Sequence, residues 1–349
     1  MNYSMRIGVR EVGDEHPCYV IAEAGANHNR DLDVARRLID TAADAQADAV
    51  KFQTYSGTTL YSTKTPRFDY LGELGAKPAH QLLDEIALPR EWQPLLAAHA
   101  RDRGIEFLSS PFDREAVDEL DALNVAAFKI ASFEIVDHGL IRYAASKGRP
   151  MIFSTGMCTM AEIDDALRVA REAGAGDCAL LQCASLYPSP PEIMNLRGVA
   201  TMRMAFGVPV GLSDHTRGIH IAPAAVAAGA RLIEKHFTLD RTMLGPDHPF
   251  AIEPKELADM VANIRDIEAA MGDGVKLGPS ALEAAEMYSK ARRSVVAACD
   301  IDAGTVIREE MLCVKRPGFG IAPKHFEVVV GRVAQRDIEY DDILTWDML

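Results

Sequence analysis

Eight short apolar segments recur along this chain of 349 residues, and each ends in polar or ionisable side chains. Turn residues bound the segments, and helix-length mixtures of polar and apolar residues separate most of them. This alternation predicts parallel strands joined by helices, with the reactive side chains gathered where the strands end. The segments read CYVIAEAG, AVKFQT, IEFLSS, AFKIASFE, MIFSTG, ALLQCAS, VGLSDHT and LIEKHFT.

Eight such segments predict an α/β fold, specifically a (β/α)8 TIM barrel. The active site of such a barrel lies at the carboxyl ends of its strands. A minimal barrel takes roughly 250 residues, so the chain also has room for a second, smaller domain. Gly and Pro cluster after residue 271, ahead of a short helical segment. We therefore predict a barrel over residues 1–280, a linker over 281–293 and a small β-rich domain over 294–349.

Helical spacing of apolar residues predicts helices over 32–47, 114–123, 161–174 and 254–271. The C-terminal module contains an internal repeat, in which Asp300 to Leu312 matches Asp337 to Leu349 at an offset of 37 residues. Two like halves predict a compact module with pseudo-twofold symmetry. Between them lies the segment KRPGFGIAP, which carries Lys315 and Arg316 on turns stiffened by Pro and Gly. On this pattern alone the segment is either a solvated connector or a functional loop.

Composition argues against several classes of partner. The formal net charge is −14, which repels nucleic acid and anionic membranes. No apolar segment approaches the roughly 20 residues that span a bilayer, and the first ten residues lack the apolar stretch of a signal peptide. We therefore expect a cytoplasmic protein with no nucleic-acid or membrane partner. The six cysteines form no CxxC pair, which favours reduced thiols over disulfides or a zinc site.

Two lysines, Lys51 and Lys129, lie in otherwise apolar strands. A buried ammonium group is costly unless it faces a negative charge. Each lysine is therefore expected to face either an anionic substrate or a carboxylate. The second alternative, a structural ion pair with Glu23 or Glu134 in the barrel mouth, stays open at this point.

Two histidines follow the last two predicted strands. His215 comes at the end of the seventh, and His236 lies two residues after Glu234, so that these two share one face of the eighth. Two neutral imidazoles beside carboxylates predict a divalent metal site with open positions for water and substrate oxygens. We expect Mn²⁺, with Mg²⁺ or Co²⁺ as alternatives, because Zn²⁺ normally takes a third protein ligand. A pair of core histidines without metal is the competing interpretation.

A series of motifs follows in order from about Tyr19 to the C-terminus: IAEAGANHN, DAVKFQTY, SSPFD, KIASFE, STGM, NLR, GLSDHT, EKHFTLD, GPDHPFAIEP and KRPGFG. Together these motifs resemble the sialic acid synthase family. That family condenses phosphoenolpyruvate with an N-acylated hexosamine and water, giving a nonulosonic acid and phosphate. The resemblance implies a metal-dependent transferase that cleaves the C–O bond, built from a TIM barrel and an antifreeze-like (SAF, β-clip) domain.

The resemblance also implies roles by position. The positions that match phosphoenolpyruvate ligands are Lys51, Ser110, Lys129, Ser132, Ser154 and Ser185. Those that match the sugar site are Gln53, Tyr187, Asp247 and Arg316. The metal ligands correspond to His215 and His236, and the catalytic positions to Glu23, Lys129, Glu134 and Glu234. Arg316 matches an arginine that the small domain offers to the active site of a partner subunit, which implies a domain-swapped homodimer.

The acceptor sugar stays open between N-acetylmannosamine and a diacetamido-dideoxyhexose of the legionaminic or pseudaminic type. Ser185 and Phe319 stand where N-acetylneuraminate synthases often have Asn. Two other functions remain as alternatives. One is a pyruvate aldolase or lyase that forms a Schiff base on Lys129. The other is a non-catalytic protein that binds carbohydrate or ice, which the antifreeze-like tail suggests.

Overall fold

The computed structural model describes residues 3–66, 77–283 and 285–349. It divides the chain into two compact units, Met1–Asp273 and Gly274–Leu349. None of the helices in these described ranges has both the length and the apolarity needed to cross a membrane.

The strands and helices are numbered in chain order. The strands of the first unit are β1 (Ser4–Ile7), β2 (Arg10–Gly13), β3 (Tyr19–Glu23), β4 (Ala49–Thr54), β5 (Glu106–Pro111), β6 (Phe128–Ile130), β7 (Met151–Ser154), β8 (Cys178–Cys183), β9 (Val210–Asp214) and β10 (Leu232–His236). Its α-helices are α1 (Leu32–Asp44), α2 (Gly57–Leu60), α3 (Ala79–Ile86), α4 (Gln93–Asp102), α5 (Arg114–Ala122), α6 (His138–Ala145), α7 (Met160–Glu172), α8 (Gly198–Phe206), α9 (Ile221–Ala227) and α10 (Pro254–Met271). The second unit has α11 (Ala285–Ala291), β11 (Ser294–Ala297), β12 (Leu312–Lys315) and α12 (Phe326–Val329).

Strands β3 to β10 form one parallel sheet in the order β5-β4-β3-β10-β9-β8-β7-β6. The two strands at the ends of this order, β5 and β6, contact each other, so the sheet closes on itself. The register of β10 against β3 places His236 beside Glu23. The predicted (β/α)8 barrel is therefore confirmed.

The interior of the barrel changes from apolar to polar along its strands. Inward side chains two residues before the strand ends, such as Ile21, Ile152 and Leu181, are fully buried in one cluster. Because side chains alternate across a strand, the next inward positions include Glu23 and Ser154 at the carboxyl ends. The outward side chains pack against the surrounding helices in a second cluster.

An antiparallel hairpin, β1 and β2, covers the N-terminal end of the barrel. Its buried side chains Met5, Ile7 and Val12 join the interior cluster. Gly8 occupies the turn with a φ of 58°, in the left-handed region that favours glycine. We did not predict this hairpin, although Met5 and Ile7 alternate with polar residues as a half-buried strand requires.

The four predicted helices are present, and their starts follow from capping. In α5, Asp113 accepts a hydrogen bond from the backbone nitrogen of Ala116 at 2.7 Å. Helix α10 begins with Pro254 in its first turn, inside a capping box formed by Glu253 and Glu256. The strand predicted over 127–134 was too long: it ends at Ile130, and a 3-10 helix over Ser132–Glu134 follows.

The second unit has the symmetry that its internal repeat predicts. Ile301 and Ile338 occupy equivalent positions in the two halves and exchange both backbone hydrogen bonds, at 2.8 and 2.9 Å. Ile307 and Leu344, another equivalent pair, are both fully buried. Two short antiparallel strands, β11 and β12, complete a small core of its own.

Candidate active site

A small cavity of about 40 Å³ lies at the carboxyl ends of the barrel strands. Eleven of the predicted site residues line it: Glu23, Lys51, Gln53, Ser110, Lys129, Ser132, Ser154, Tyr187, His215, Glu234 and His236. Four further lining residues were not predicted: Ala131, Phe133, Cys183 and Ser213. The barrel thus brings together side chains that are spread over more than 200 residues of sequence.

Both buried lysines form ion pairs across this mouth. The ammonium nitrogen of Lys51 lies 2.6 Å from Glu23 Oε2 and 3.6 Å from Glu234 Oε2. That of Lys129 lies 3.0 Å from Glu234 Oε1. The Lys–Glu alternative considered above is therefore present, but its second carboxylate is Glu234 and not Glu134, which pairs with neither lysine among the described residues.

The pKa values of the two paired carboxyl groups shift in opposite directions. Burial raises the pKa of Glu23, although the neighbouring Lys51 opposes the shift. Burial acts on Glu234 as well, but Lys129 and Lys51 together outweigh it and hold its pKa below the usual range. A proton that enters this cluster therefore goes to Glu23, and the two ammonium groups then exceed the remaining negative charge.

Three serine hydroxyls at the same mouth are placed to receive a ligand. The hydroxyls of Ser154 and Ser185 are buried and have no hydrogen-bond partner among the described residues. A Cβ atom added at Gly156 would lie 2.2 Å from Ser185 Oγ and 2.9 Å from Ser132 Oγ, so only glycine leaves room there. Because buried hydroxyls are normally hydrogen-bonded, these groups are available to ligand oxygens.

The two histidines lie side by side, with ring centroids 5.4 Å apart. His215 Nδ1 lies 2.8 Å from the carbonyl oxygen of Ala184, which can only accept, so Nδ1 carries the hydrogen and Nε2 the lone pair. Burial lowers the pKa of His215 to about 4. Burial, with the neighbouring His215, also lowers the pKa of His236. Both imidazoles are therefore neutral at neutral pH.

Neutral imidazoles with one nitrogen fixed by a carbonyl are the form that binds metals. The buried Nδ1 of His236 has no hydrogen-bond partner in the described part of the chain, and the nearest carboxylate oxygen, on Asp247, is 3.5 Å away. Across residues 3–66, 77–283 and 285–349, no three His, Cys, Asp or Glu side chains converge as a metal site. The histidine pair thus fits a divalent ion that takes its other ligands from water and substrate.

Two further predicted residues, Asp247 and Glu134, do not line the cavity, although each is next to residues that do. Asp247 Oδ2 and Glu23 Oε1 would both lie within 3.4 Å of a Cβ at Gly25, so these carboxylates are neighbours. Burial, with Glu23 nearby, raises the pKa of Asp247 to about 7. Burial also raises the pKa of Glu134 to about 7, against the opposing charge of Lys129. Both carboxyl groups therefore titrate near neutral pH, where proton transfer is efficient.

Gln53, Tyr187 and Arg316 complete the predicted sugar site. Gln53 Nε2 donates to Glu23 Oε1 at 2.9 Å, and the Tyr187 ring centroid lies 4.1 Å from that of His215. Arg316 belongs to the second unit, where it is exposed at the start of the RPGFG segment. Its role towards a partner subunit stays a prediction.

Sequence reasoning missed Ser213 and Cys183, which support the predicted residues. Ser213 donates to Glu234 Oε1 at 3.0 Å, and Cys183 Sγ lies 3.8 Å from His215 Nδ1. The alternation of β9 held a usable signal, because Ser213 is two residues before His215 and so faces the interior.

A closed parallel barrel with buried ionisable groups at its C-terminal mouth defines the molecule as a TIM-barrel enzyme. The model of the NeuB family matches residues 38–276, and that of the SAF domain matches residues 292–349. The chain belongs to the NeuB family.

The relatives of this chain include proteins named as synthases of nonulosonic acids. N,N'-diacetyllegionaminic acid synthase of Campylobacter jejuni is 41% identical over 329 residues, covering 93% of this chain and 98% of the relative. Human N-acetylneuraminate-9-phosphate synthase is 36% identical over 345 residues, covering 97% and 95%. The structure of N-acetylneuraminic acid synthetase from Leptospira borgpetersenii, in complex with citrate, aligns with a TM-score of 0.72 at 36% identity, over 82% of this chain and 96% of that one.

Proposed function

We propose that this chain is a nonulosonic acid synthase, which condenses phosphoenolpyruvate with an open-chain N-acyl hexosamine and releases phosphate. One observation carries the proposal. Both buried lysines and both histidines line the same cavity at the mouth of the barrel. The lysines supply positive charge for an anion, and the histidines supply two neutral metal ligands a short distance away. A condensation between an anionic enol and an aldehyde needs both groups at one opening.

Phosphoenolpyruvate brings a phosphate and a carboxylate. Lys51 and Lys129 would neutralise them, exchanging their present partners Glu23 and Glu234 for the ligand. The unpartnered hydroxyls of Ser154 and Ser185 would donate to its oxygens, with Ser110 and Ser132 beside them. Charge-assisted hydrogen bonds of this kind are stronger than neutral ones, and the barrel orients them before the substrate arrives.

The bond-forming step joins C3 of phosphoenolpyruvate to C1 of the sugar. His215 and His236 would hold the divalent ion, and that ion, when bound, polarises the sugar aldehyde as a Lewis acid. Gln53, Tyr187 and Asp247 surround this side of the mouth and would position the acceptor. The new C–C bond leaves positive charge at C2, which water captures before phosphate departs with the bridging oxygen.

Water needs a base to accept its proton. Glu134, whose pKa burial raises to about 7, would take that proton, while Glu23 is the carboxylate that Lys51 gives up when the ligand binds. A carboxylate with a pKa near the working pH is an efficient general base. We also propose that Arg316 of the small domain contacts the sugar in the active site of a partner subunit.

One assay tests this proposal. The purified protein is incubated with phosphoenolpyruvate, Mn²⁺ and, in separate reactions, N-acetylmannosamine and the two diacetamido-dideoxy sugars. The expected result is stoichiometric phosphate release and a product whose mass is the sum of pyruvate and one sugar. Absence of phosphate release with every sugar, or trapping of pyruvate on Lys129 by borohydride, would overturn the proposal. Lys129 is engaged in an ion pair with Glu234, and a Schiff base would require its amine to leave that pair and lose its proton.

A further inference from the structure

A second cavity lies at the other end of the barrel, where the strands begin. Its volume is about 690 Å³, within the range of small-molecule sites. Its walls come from the β1–β2 hairpin, from the C-terminal end of α4 and from the segments that precede β4, β5 and β7. Nothing in the proposed condensation uses it.

Positively charged side chains outnumber negatively charged ones around this cavity, whereas the reverse holds for the whole chain. Four arginines line it, Arg6, Arg10, Arg101 and Arg149, against two carboxylates, although the chain carries a net charge of −14. Arg10 is paired with Asp48, and Arg149 with Asp121 at 2.7 Å.

The other two arginines are not neutralised in this way. Among the residues that the structure describes, neither Arg6 nor Arg101 has an ion-pair partner, and both are exposed to solvent. The second lining carboxylate, Glu106, pairs with no arginine in the same set. Burial raises the pKa of Glu106 against the opposing charge of Arg10. Two guanidinium groups that form no ion pair with the described residues therefore border an open cavity. Guanidinium groups bind phosphate through paired hydrogen bonds.

A buried hydroxyl at the same end of the barrel also lacks a partner. Tyr19 is 1% exposed, and its hydroxyl has no hydrogen bond within the described residues. It lies close enough to Glu106, Asp48 and Arg10 for their charges to act on it. Because buried hydroxyls are normally bonded, this end of the barrel has a polar group that a bridging water would satisfy.

We propose that this cavity binds a phosphorylated metabolite that carries a ring, of the nucleoside phosphate class. Arg6 and Arg101 would hold the phosphate. Leu123, Val125 and Pro150 give the cavity an apolar side for the ring. Glu106 is available to accept a hydrogen bond from a sugar hydroxyl or an exocyclic amine. A bare inorganic anion would leave most of the 690 Å³ unfilled.

The test measures direct binding to the full-length protein by titration calorimetry. The probes are AMP, GMP, CMP and UMP, with adenosine and inorganic phosphate as partial ligands. At least one nucleotide should bind saturably, while adenosine and inorganic phosphate each bind at least tenfold more weakly, since each lacks half of the interactions. Arg6→Gln and Arg101→Gln should each weaken the nucleotide by about tenfold.

Arg142→Gln is the matched control, since Arg142 is an exposed arginine on α6 that also lacks an ion-pair partner in the described ranges. It should leave the affinity unchanged, and all three variants should melt at the wild-type temperature. Three results would overturn the proposal: no nucleotide binding up to about 1 mM, affinity that survives the Arg6→Gln/Arg101→Gln double change, or inorganic phosphate binding as tightly as the nucleotides. The second result would place the phosphate elsewhere, for example at the barrel mouth. Because the site is remote from that mouth, failure here leaves the proposed condensation untouched.

Discussion

Lys235 donates a hydrogen bond to Asp214 across 2.9 Å, and each of these residues directly precedes one of the two neighbouring histidines. Both side chains are fully buried. Lys235 also contacts the carbonyl oxygen of Thr216, and Asp214 accepts from the Thr216 hydroxyl at 2.7 Å. Side chains alternate between the two faces of a strand. Since His215 and His236 face the barrel interior, the side chains of Asp214 and Lys235 point outward, towards the surrounding helices. This ion pair ties the ends of β9 and β10 together and so fixes the spacing of the imidazoles.

Breaking this pair by Asp214→Asn should destabilise the protein by about 3–5 kcal/mol, because the Lys235 ammonium is then buried without a counter-charge. Urea unfolding measures the loss. The exposed pair Lys255–Asp259 on α10 is the matched control, and Asp259→Asn should cost less than about 1 kcal/mol. Equal effects at the two positions would show that the buried pair does not hold the strand ends.

The histidine pair gives a prediction for metal binding that does not depend on turnover. His215→Ala and His236→Ala should each reduce Mn²⁺ affinity at least tenfold, since two imidazoles are the only protein ligands proposed. Calorimetry or the electron paramagnetic resonance signal of free Mn²⁺ measures this directly. His220→Ala, at an exposed histidine before α9, should bind Mn²⁺ as the wild type does. Unchanged affinity in the first two variants would remove the metal from the proposal.

Gly156 gives a prediction for the serine cluster. In Gly156→Ala the new methyl group would lie 2.2 Å from Ser185 Oγ, so that hydroxyl must move. Overpacking of this size costs about 1–3 kcal/mol, which a stable barrel tolerates. Phosphoenolpyruvate affinity should fall about tenfold or more, because a displaced hydroxyl loses its hydrogen bond to the ligand. Fluorescence titration of phosphoenolpyruvate, with a thermal melt beside it, separates this effect from unfolding, and unchanged affinity would contradict the assigned role.

Glu134 gives a prediction for pH dependence. Its pKa is raised to about 7 from an ordinary value of 4.5, so the folded state keeps the proton longer than the unfolded chain does. The proton on Glu134 therefore adds up to about 3 kcal/mol to the free energy of unfolding. This contribution is present in full below pH 4.5 and is lost as pH rises through about 7. Glu134→Gln should therefore unfold at a higher urea concentration than the wild type at pH 8, with little difference at pH 4. A difference that does not change with pH would contradict the raised pKa.

The ionisation of Glu134 should also determine the pH dependence of kcat. If Glu134 accepts the proton of water, kcat should rise as pH increases through about 7, and this rise should disappear in Glu134→Gln along with most of the activity. A Glu134→Gln variant with wild-type kcat and the same pH profile would transfer the role to Glu23.

Much of the fold was predictable, because eight apolar segments with polar ends leave few other arrangements. The mouth followed from the same pattern, since strand ends in a parallel barrel meet on one face. The ion-pair partners were not predictable in full. Lys129 on β6 meets Glu234 on β10, which lies across the barrel and 105 residues away, so the pairing depends on the closed geometry and not on either segment.

The hairpin under the barrel and the outward pair of Asp214 with Lys235 were missed for a related reason. Each strand of the hairpin has only four residues, too short for a clear periodic signal. Asp214 and Lys235 each look like ordinary polar residues beside a histidine. Only the pairing of β9 with β10, which sets Lys235 opposite Asp214, makes them a buried unit.

We expect this barrel mouth to join an enol to an aldehyde and to expel phosphate by breaking the C–O bond. The most direct measurement uses phosphoenolpyruvate labelled with ¹⁸O at the bridging oxygen, together with the accepted sugar, followed by mass analysis of both products. The account predicts that the label leaves with inorganic phosphate and that the nonulosonic acid takes its C2 oxygen from water. Label retained in the sugar acid would contradict it, because the P–O bond would then be the one that breaks.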